Sequence, residues 1–433
     1  MDTEINKVHD SPPKNTSSGF SFNIFRTIHS WYLPTSRTLA EDSEKNLLSM
    51  ANINLSYDGT ETVVKNETQS RPDIPDARVM NVSVDKENFI RTLYMKNKNE
   101  MTEKNLVITH GFGNGLGFYF KNYEELGNKS KSNVYSIDWL GMGLSSRPDF
   151  KINKKHSPEE QVAFAEEFFV ESLEKWREEM KIDKMVLLGH SFGGYMSSLY
   201  ALKYPERIEK LVLESPVGIP ETPESMRDLV DHGKFPEKRP KEKDSLPKST
   251  QDSSVDKNQG RVIDRDEEIV ERLRNVPFQY KLLGKAAYKL WDSGQSPQGL
   301  LRFFGRYGQT LTGKYISRLA GLNEEEKKAL SDYMFHVSAQ KGSSEYAMGV
   351  ILKPFSFARV PLKNRIINLT VPTSFIYGEK DWMDQSAGKE ISDSLKVPSE
   401  YHIIPNAGHN MHLDNPEGFN KVLIEIINNN HQE

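Results

Sequence analysis

The chain has 433 residues and carries 57 lysines and arginines against 61 aspartates and glutamates, a net charge of −4. This length suits either one large α/β domain with insertions or two to three small domains. The near balance of charge argues against a protein that binds nucleic acid over its whole surface, and the absence of cysteine excludes disulfides, cysteine-ligated zinc and a cysteine nucleophile.

The N-terminal part precedes the first predicted strand. Residues 1–19 are polar and contain prolines, so we predict that they are disordered. Residues 20–76 are predicted to be an aromatic amphipathic lead-in followed by a polar linker. Apolar residues of the lead-in recur near helical spacing: Phe20, Ile24, Phe25, Ile28, Trp31 and Tyr32. Such a helix either lies in a lipid interface, with Trp31 as a membrane contact, or packs on the surface of the domain.

From residue 77 onward, short apolar runs rich in Val, Ile and Leu predict strands. The first two are RVMNVSV and FIRTLYM, and the later ones are NLVITH, NVYSID, KMVLLGH, KLVLESP, PTSFIYG and EYHIIP. Helical patterns lie between several of them, as at residues 159–180. This alternation predicts an α/β fold in which helices cover both faces of a mostly parallel central sheet.

The predicted core is divided into residues 77–219 and 361–433. Between these parts, residues 220–265 are rich in charge, proline and serine and are predicted to be a disordered insert. Residues 266–360 have mostly helical patterns and are predicted to form a lid over the C-terminal edge of the sheet. No run of about 18 apolar residues occurs, so no transmembrane helix is expected.

A candidate nucleophile lies in the segment Gly189-His190-Ser191-Phe192-Gly193, which matches the pattern G-x-S-x-G. The segment follows an apolar strand and opens a helix. In that context small flanking residues permit a strained turn that exposes the serine oxygen. Without the context, the segment would be a glycine-rich turn with no chemistry; with it, Ser191 is the predicted nucleophile.

A serine nucleophile needs a base, and the base needs an orienting acid; in this architecture the chain order is serine, acid, histidine. Asp381 follows a predicted strand and is the predicted acid, with Asp384 and Glu379 as alternatives. His409 lies on the loop after the next strand and is the predicted base. His412, three residues further, is the alternative base.

Two backbone N–H groups are expected to form an oxyanion hole. One belongs to Phe192, directly after the nucleophile, and the other to Phe112, in the glycine-rich loop HGFGNGLG. His110 is expected to brace that loop. Asp138 precedes Ser191 in the chain and is therefore predicted to be structural.

Over roughly residues 77–430 the chain resembles the α/β-hydrolase superfamily. The segments HGFGNGLGFYFKNYEEL, DWLGMGLSSRPDF and LLGHSFGGYMSSLYALKYPERI look like one subfamily. It includes the lipid-droplet lipase coactivator, its lysophospholipase relative, and the fungal cardiolipin-specific deacylases and lysophosphatidate acyltransferases. GEKDWMD and AGHNMHLDNP look like the fungal branch. The coactivator lacks the elbow serine, which is present here, so the resemblance implies an active enzyme.

The subfamily also carries an H-x-x-x-x-D signature, which His409 and Asp414 match. In an acyltransferase of that type, Asp414 would orient His409, and His409 would deprotonate an acceptor hydroxyl directly. This assignment competes with the triad, because Asp381 must hold the same imidazole if it is to serve Ser191. Transfer from an acyl-Ser191 intermediate would reconcile the two, and Asp414 would then mark only the start of the last helix.

The predicted lid contains a basic and aromatic segment. Residues 276–318 hold seven lysines and arginines and one acid, Asp292. The predicted contacts with anionic lipid are Lys281, Lys285, Lys289, Trp291, Arg302 and Arg306. A basic amphipathic lid suits an anionic membrane, although a solvated helical face would look similar. No nucleic-acid motif accompanies the segment, so no nucleic-acid partner is expected.

We therefore predict a serine carboxylic-ester hydrolase that deacylates phospholipids at an anionic membrane, with cardiolipin as the leading substrate and with no cofactor or metal. One alternative is a lysophosphatidic acid acyltransferase that uses acyl-CoA. Another is a non-enzymatic regulator of a lipase on lipid droplets. The resemblance favours an intracellular, peripheral protein of the mitochondrion, with the cytoplasm or the lipid droplet as alternatives, and the acidic start of the chain weakens the mitochondrial assignment.

Overall fold

The computed structural model describes residues 32, 34–58, 73–98, 104–237 and 265–429. Its strands are β1 (Asn54–Tyr57), β2 (Asp76–Ser83), β3 (Phe89–Met95), β4 (Asn105–Thr109), β5 (Asn133–Ile137), β6 (Met185–His190), β7 (Ile208–Glu214), β8 (Thr373–Gly378) and β9 (Ser399–Ile404). They form one sheet in the order β1-β2-β3-β5-β4-β6-β7-β8-β9. Strand β3 runs antiparallel to β2 and β5, and the other neighbouring pairs are parallel. The predicted α/β sheet is therefore confirmed.

Fifteen helices are named in the described ranges: α1 (Arg37–Leu48), α2 (Tyr123–Lys129), α3 (Pro158–Glu179), α4 (Phe192–Lys203), α5 (Arg227–His232), α6 (Arg265–Arg274), α7 (Phe278–Asp292), α8 (Pro297–Phe304), α9 (Gly308–Ile316), α10 (Glu324–Ser338), α11 (Met348–Ile351), α12 (Lys363–Ile366), α13 (Gln385–Ser394), α14 (Met411–Asp414) and α15 (Pro416–Asn428). None of the helices in these ranges combines the length and the apolar character that crossing a bilayer requires.

Helices pack on both faces of the sheet because its central strands are buried on both sides. Every residue of β6 is buried. On one face, α3 and α4 contribute Phe169, Trp176 and Tyr195 to a continuous core. On the other face, α1, α10 and α15 contribute to a second core. Helix α3 begins at a capping box in which Ser157 and Glu160 satisfy each other's backbone N–H groups.

The polar linker predicted within residues 20–76 is partly folded, which corrects that expectation. It contains α1, which begins after the capping side chain of Ser36, and β1, which pairs in parallel with β2. Glu44 on α1 is fully buried and pairs with Arg91 at 2.6 Å. In the sequence, a glutamate that is buried in an ion pair cannot be distinguished from one in solvent. The pattern of apolar residues therefore did not reveal this helix. Residues 1–19 and Trp31 lie outside the described ranges.

The insert predicted to be disordered at residues 220–265 is also folded in part. Residues 220–237 include α5, and Val230 of that helix packs with Met226 and Val270. The helical character of residues 266–360 is observed in α6 to α11. Residues 238–264 lie outside the described ranges.

Candidate active site

Ser191 occupies a strained turn between β6 and α4. Its backbone angles are φ 54° and ψ −114°, a conformation that a residue with a side chain adopts only under constraint. The flanking glycines make this turn sterically feasible. A Cβ on Gly189 would lie 2.5 Å from the carbonyl oxygen of Gly193, and a Cβ on Gly193 would lie 2.5 Å from that of Thr109. The structure therefore has the strand–turn–helix geometry that the G-x-S-x-G segment predicts.

The structure brings the three predicted side chains together from three different loops. The hydroxyl oxygen of Ser191 lies 3.0 Å from Nε2 of His409. Nδ1 of His409 lies 3.2 Å from Oδ1 of Asp381. Because Nδ1–H donates toward the carboxylate, Nε2 is left as the acceptor for the proton of Ser191, which is the arrangement of a serine, a general base and an orienting acid.

Ser215 is a further member of this group that sequence reasoning missed. Its hydroxyl donates to Oδ2 of Asp381, and its oxygen lies 2.8 Å from Nδ1 of His409, so it accepts from the imidazole N–H. It follows β7, which is the neighbour of β8 in the sheet. The available signal was a polar residue at the C-terminal end of a buried strand, where ligands and catalytic groups of such sheets collect.

Asp381 is charged in this environment. Burial raises the pKa of its carboxyl, but the hydrogen bond and charge of His409, the hydroxyl of Ser215 and the N–H of Met383 outweigh burial, so the pKa lies below its ordinary value. The two alternative acids have other partners. Asp384 caps α13 by accepting from the N–H of Ser386 at 3.0 Å, and Glu379 accepts from the N–H of Asn406 at 2.9 Å. These contacts favour Asp381 among the three acids.

The two predicted oxyanion donors, Phe112 and Phe192, line the same cleft as Ser191. Phe192 is the first residue of α4, so its N–H lies at the positive end of a helix. Gly111 keeps the second loop close to the nucleophile, because a Cβ there would lie 3.1 Å from Cβ of Ser191. Within the described ranges neither N–H has a hydrogen-bond acceptor, so both are available to a developing oxyanion.

His110 braces the oxyanion loop, in the way expected. Its Nδ1 lies 2.7 Å from the carbonyl oxygen of Gly111, and Nε2 accepts from the backbone N–H of Trp139 at 3.2 Å. Burial lowers the pKa of His110 to about 4, so the ring stays neutral at physiological pH. Asp138 accepts from the N–H groups of Leu116 and Leu144, both at 2.6 Å, which agrees with its predicted structural role.

A second buried cluster lies directly beside the triad. Nδ1 of His412 lies 2.6 Å from Oε1 of Glu214, and the hydroxyl of Tyr119 donates to Oε2 of Glu214 at 2.7 Å. Burial raises the pKa of Glu214, but the charge of His412 and the hydrogen bonds from His412 and Tyr119 hold it below its ordinary value. His412 is thus engaged away from Ser191, which favours His409 as the base.

His190, the residue before the nucleophile, connects this cluster to the base. Its Nε2–H donates to the backbone carbonyl of His409 at 3.0 Å. Burial lowers the pKa of His190 to about 3, so this donor remains neutral. His190, Glu214 and His412 are close enough together to be considered as metal ligands. In this structure Glu214 and His412 are joined by a direct hydrogen bond.

Asp414 does not contact the imidazole of His409. Its Oδ2 accepts from the N–H of Gly408 at 2.9 Å, and its Oδ1 accepts from the N–H of Ala320 at 3.0 Å. Asp414 thus holds the loop of the base and joins it to the lid. The spacing H-x-x-x-x-D is satisfied in sequence, but the orienting contacts of His409 come from Asp381 and Ser215.

Ser191 and His409 face a cleft of about 280 Å³ that is closed on one side by the lid. Lid residues in its wall are Trp291, Pro297, Tyr315, Met348 and Leu352. Aromatic and aliphatic side chains dominate the wall, and Asn114 and Asn410 are its polar amides. An apolar cleft with few polar groups suits an acyl chain next to a reacting ester.

The predicted lipid contacts fall into two sets. Lys285, Lys289 and Arg306 are exposed on the lid. Lys281 donates to the carbonyls of Arg274 and Pro236 at 3.2 and 3.3 Å.

The other two candidates are engaged within the protein, which corrects their assignment. Arg302 forms an ion pair with the buried Glu345 and donates to the carbonyl of Gln340 at 3.1 Å. Trp291 donates from Nε1 to the carbonyl of Leu352 at 3.1 Å and lines the cleft. Their charge and aromatic character gave no sign of these partners, because Glu345 and Leu352 are distant in sequence.

Comparison with known proteins agrees with the fold. A family model described as alpha/beta hydrolase fold matches residues 104–416. The chain therefore belongs to the α/β-hydrolase family. Within that family it belongs to the subfamily of the lipid-droplet lipase coactivator, and its relatives there are named as acyltransferases and lipases.

Three relatives illustrate this branch. A 1-acylglycerol-3-phosphate O-acyltransferase of Arabidopsis thaliana is 33% identical over 326 residues, which are 74% of this chain and 65% of the plant protein. A protein of the same name from Rattus norvegicus is 32% identical over 353 residues, 80% of this chain and 83% of the relative. A (lyso)-N-acylphosphatidylethanolamine lipase of Homo sapiens is 30% identical over 355 residues, 80% and 85% of the two chains.

Solved structures with this fold include a carboxylesterase from Bacillus subtilis, with a TM-score of 0.53 and 14% identity over 90% of this chain and 98% of the esterase. A bacterial membrane phospholipase A has a TM-score of 0.51 and 16% identity over 94% of this chain and 96% of its own. At this level of identity the similarity confirms the fold alone.

Proposed function

We propose that this protein is a serine hydrolase that cleaves acyl esters of phospholipids at a membrane surface. The observation that carries the proposal is the connected chain from Ser191 through His409 to Asp381, with separations of 3.0 and 3.2 Å, in an apolar cleft beneath a lid. These groups supply a nucleophile, a base and an orienting carboxylate in one place. The cleft supplies an apolar surface for the acyl chain.

The reaction would proceed through an acyl-enzyme. The oxygen of Ser191 attacks the ester carbonyl and its proton passes to Nε2 of His409, while the N–H groups of Phe112 and Phe192 hold the oxyanion. Collapse of the tetrahedral intermediate releases the lipid alcohol, which takes the proton from His409. Water then attacks the acyl-serine with the same base and releases the fatty acid. Asp381 and Ser215 keep the imidazole in the tautomer that this sequence of proton transfers requires.

A phospholipid substrate is supported by the relatives, whose names refer to 1-acylglycerol-3-phosphate and to N-acylphosphatidylethanolamine. The fungal resemblance of the GEKDWMD and AGHNMHLDNP segments favours cardiolipin as the leading substrate. Cardiolipin is anionic, which agrees with exposed lysines on the lid. The mitochondrion is the site of action that this substrate favours, with the cytoplasm or the lipid droplet as alternatives.

Contact with a membrane is supported by the surface of the lid. Helix α7 has no buried residue, and it exposes Phe278, Leu282 and Leu283 together with Lys285 and Lys289. An exposed apolar face with adjacent lysines is typical of helices that lie in an anionic lipid interface. The same helix carries Trp291 to the wall of the cleft, so docking through α7 would bring the cleft to the lipid.

The central test measures release of lysolipid from cardiolipin vesicles by the full-length protein and by Ser191→Ala. We expect the variant to lose activity by about three orders of magnitude, because the acyl-enzyme cannot form. A variant with Ser172→Ala, at a buried serine on α3, is the matched control. Full activity of Ser191→Ala would refute the serine mechanism.

An acyltransferase is the second candidate, because two of the relatives carry that name. A lysophosphatidate alcohol in place of water would resolve acyl-Ser191 by transfer, with acyl-CoA as the donor. In that case Ser191→Ala abolishes phosphatidate formation, and Asp414→Ala weakens hydrolysis and transfer in parallel by loosening the loop of His409. Transfer that survives Ser191→Ala and disappears in Asp414→Ala would instead support a direct mechanism through the H-x-x-x-x-D pair.

A non-enzymatic regulator of a lipase on lipid droplets is the remaining alternative. It predicts that cells expressing Ser191→Ala retain the whole cellular function of the protein. The assembled triad argues against it, because a regulator would need none of the contacts between Ser191, His409 and Asp381.

A further inference from the structure

A second cavity, of about 190 Å³, lies next to the catalytic cleft. Three segments form it: the loop after β7, the chain around residue 356 at the end of the lid, and the loop after β8. Its lining residues are Pro216, Gly218, Pro220, Pro223, Met226, Phe355, Ser356, Phe357, Trp382, Met383 and Asp384. Among the residues that the structure describes, the wall is mainly apolar, contains no lysine or arginine, and has Asp384 as its acid. This chemistry disfavours a phosphate and favours a hydrocarbon chain.

The second cavity and the catalytic cleft share two wall residues, Ser356 and Trp382. Trp382 is 57% exposed, and its ring centroid lies 5.0 Å from that of His409. The wall between the two spaces is therefore a single layer of side chains directly beside the catalytic base. One ligand that extends past Trp382 can occupy both spaces.

The position of the second cavity indicates which part of the substrate it adjoins. Its wall continues from the triad, because Pro216 follows Ser215 and the N–H of Met383 donates to Asp381 at 3.0 Å. The oxyanion residues Phe112 and Phe192 line only the catalytic cleft. The leaving alcohol must lie beside His409, since His409 returns the proton to it. The second cavity therefore adjoins the space of the leaving alcohol.

The shared wall includes a strained turn. Phe355 and Ser356 both have a φ of 64°, in the left-handed region that residues with side chains rarely adopt. The turn is held by the N–H of Lys353, which donates to the carbonyl of Phe357 at 2.7 Å. The contact fixes Phe355 at the wall, where the side chain is 51% exposed although it is aromatic. Strained backbone of this kind clusters at active sites and at contacts with ligands.

We propose that the second cavity binds the acyl chain that remains on the leaving lysolipid, while the catalytic cleft binds the chain that is cleaved. The substrate class is then a phospholipid with at least two acyl chains, and a lysophospholipid is a poorer substrate because it leaves the second cavity empty. This inference rests on the proposed hydrolase function, because it assigns the two halves of the substrate to the two sides of Ser191.

The kinetic test compares kcat/KM for a diacyl phospholipid and for its lysophospholipid in the same mixed micelles, each divided by the rate on a short-chain p-nitrophenyl ester. Phe355→Asp adds a charge to the second cavity at a position where aspartate tolerates the backbone angle. Each methylene that loses its burial is worth about fourfold. We therefore expect the diacyl-to-lyso preference to fall at least tenfold in this variant.

The control is Phe164→Asp, a change of the same kind at an exposed aromatic residue on α3. It should leave the preference at the wild-type value. A preference that is equal in Phe355→Asp and wild type would overturn the inference, as would a parallel loss for both lipids. Hydrolysis of the short-chain ester by Ser191→Ala at the wild-type rate would instead count against the proposed function.

A binding measurement decides the inference without catalysis. Ser191→Ala is mixed with micelles of a diacyl phospholipid that carries bromine on one chain at a time, and tryptophan quenching is recorded. We expect bromine on the chain of the leaving lysolipid to quench Trp382 but not Trp291, which lines the catalytic cleft and not the second cavity. The quenching should therefore disappear in the double variant with Trp382→Phe and persist in the one with Trp291→Phe. Equal quenching with and without Trp382 would place the chain elsewhere and overturn the inference.

Discussion

The hydroxyl of Ser215 is predicted to help keep the pKa of Asp381 below its ordinary value and so to keep this carboxylate charged. The substitution Ser215→Ala removes a donor to Asp381 and an acceptor 2.8 Å from Nδ1 of His409. The remaining contacts of the carboxylate are the imidazole of His409 at 3.2 Å and the N–H of Met383 at 3.0 Å. The substitution creates only a small cavity, so its effect reports mainly on these polar contacts.

The expected magnitude follows from burial of the acid. Asp381 is 6% exposed, so water cannot replace the lost hydroxyl without rearrangement. A hydrogen bond to a buried charged group contributes about 1.5–3 kcal/mol. We therefore expect the free energy of unfolding at pH 7 to fall by about 2 kcal/mol. Since about 1.4 kcal/mol corresponds to tenfold in rate, kcat/KM on a short-chain ester should fall by about 10- to 100-fold.

The effect of pH on stability has a defined sign. The pKa of Asp381 lies below its ordinary value, so its stabilising contribution is present above that ordinary value and is lost as the pH falls through the folded-state pKa. Removing the hydroxyl of Ser215 raises the folded-state pKa. The difference in unfolding free energy between wild type and Ser215→Ala is therefore expected to be largest near neutral pH and to shrink in acid.

The assay combines urea unfolding at several pH values with kcat/KM on the short-chain ester. Ser172→Ala is the control, because this buried hydroxyl donates at 2.9 Å to a helical carbonyl outside the site. If Ser215→Ala had the same kcat/KM and the same stability as wild type, the predicted role of the hydroxyl would be refuted. A stability loss equal to that of Ser172→Ala and independent of pH would also refute it.

Three further predictions concern the turn, the oxyanion loop and the lid. Gly189→Ala should prevent folding, since its Cβ would lie 2.5 Å from a backbone oxygen. Gly313→Ala, whose Cβ would have its nearest neighbour at 3.6 Å, should stabilise α9 by up to about 1 kcal/mol, and thermal unfolding of the two variants checks both expectations. Burial raises the pKa of Asp138 to about 6, so its ionisation opposes folding and its own contribution to stability should decline as the pH rises from about 4 to 6. Urea unfolding across that range should therefore show wild type losing stability relative to Asp138→Asn as the pH rises, and a difference that does not change with pH would contradict the prediction. Arg302→Ala should lower the unfolding free energy by about 3 kcal/mol, because it removes the main partner of the buried Glu345. The control Arg306→Ala, at an exposed position, should change it by less than about 0.5 kcal/mol, and equal effects of the two substitutions would contradict the structural role of Arg302.

The sequence was sufficient where the signal was local or followed chain order. Short apolar runs predicted β2 to β9, and the G-x-S-x-G segment predicted the turn at Ser191. Asp381 and His409 followed from their positions after successive strands. Ser215 could not be recognised in the same way, because its relation to Asp381 depends on the adjacency of β7 and β8 in the sheet.

Buried charge was the main source of error. Helix α1 looked like a polar linker because Glu44 is buried against Arg91, 47 residues away. Arg302 looked like a lipid contact because Glu345 lies 43 residues further along the chain. A charged residue that is buried against a partner and one that is exposed to solvent are the same residue type in the sequence. Composition therefore cannot distinguish buried charges from exposed ones. Asp414 presented the same difficulty, since its partners are two backbone N–H groups.

The hydrogen bond from His190 to the carbonyl of His409 also affects how the two reacting groups move. Ser191 is covalently attached to the donor residue, and the imidazole of His409 belongs to the acceptor residue. The bond therefore ties the loop of the base to the residue that precedes the nucleophile, through a side chain and a backbone carbonyl that take no part in the reaction. Because a misplacement of about 1 Å can slow such a reaction about 100-fold, this tie supports the separation of Oγ and Nε2 on which the proton transfer depends.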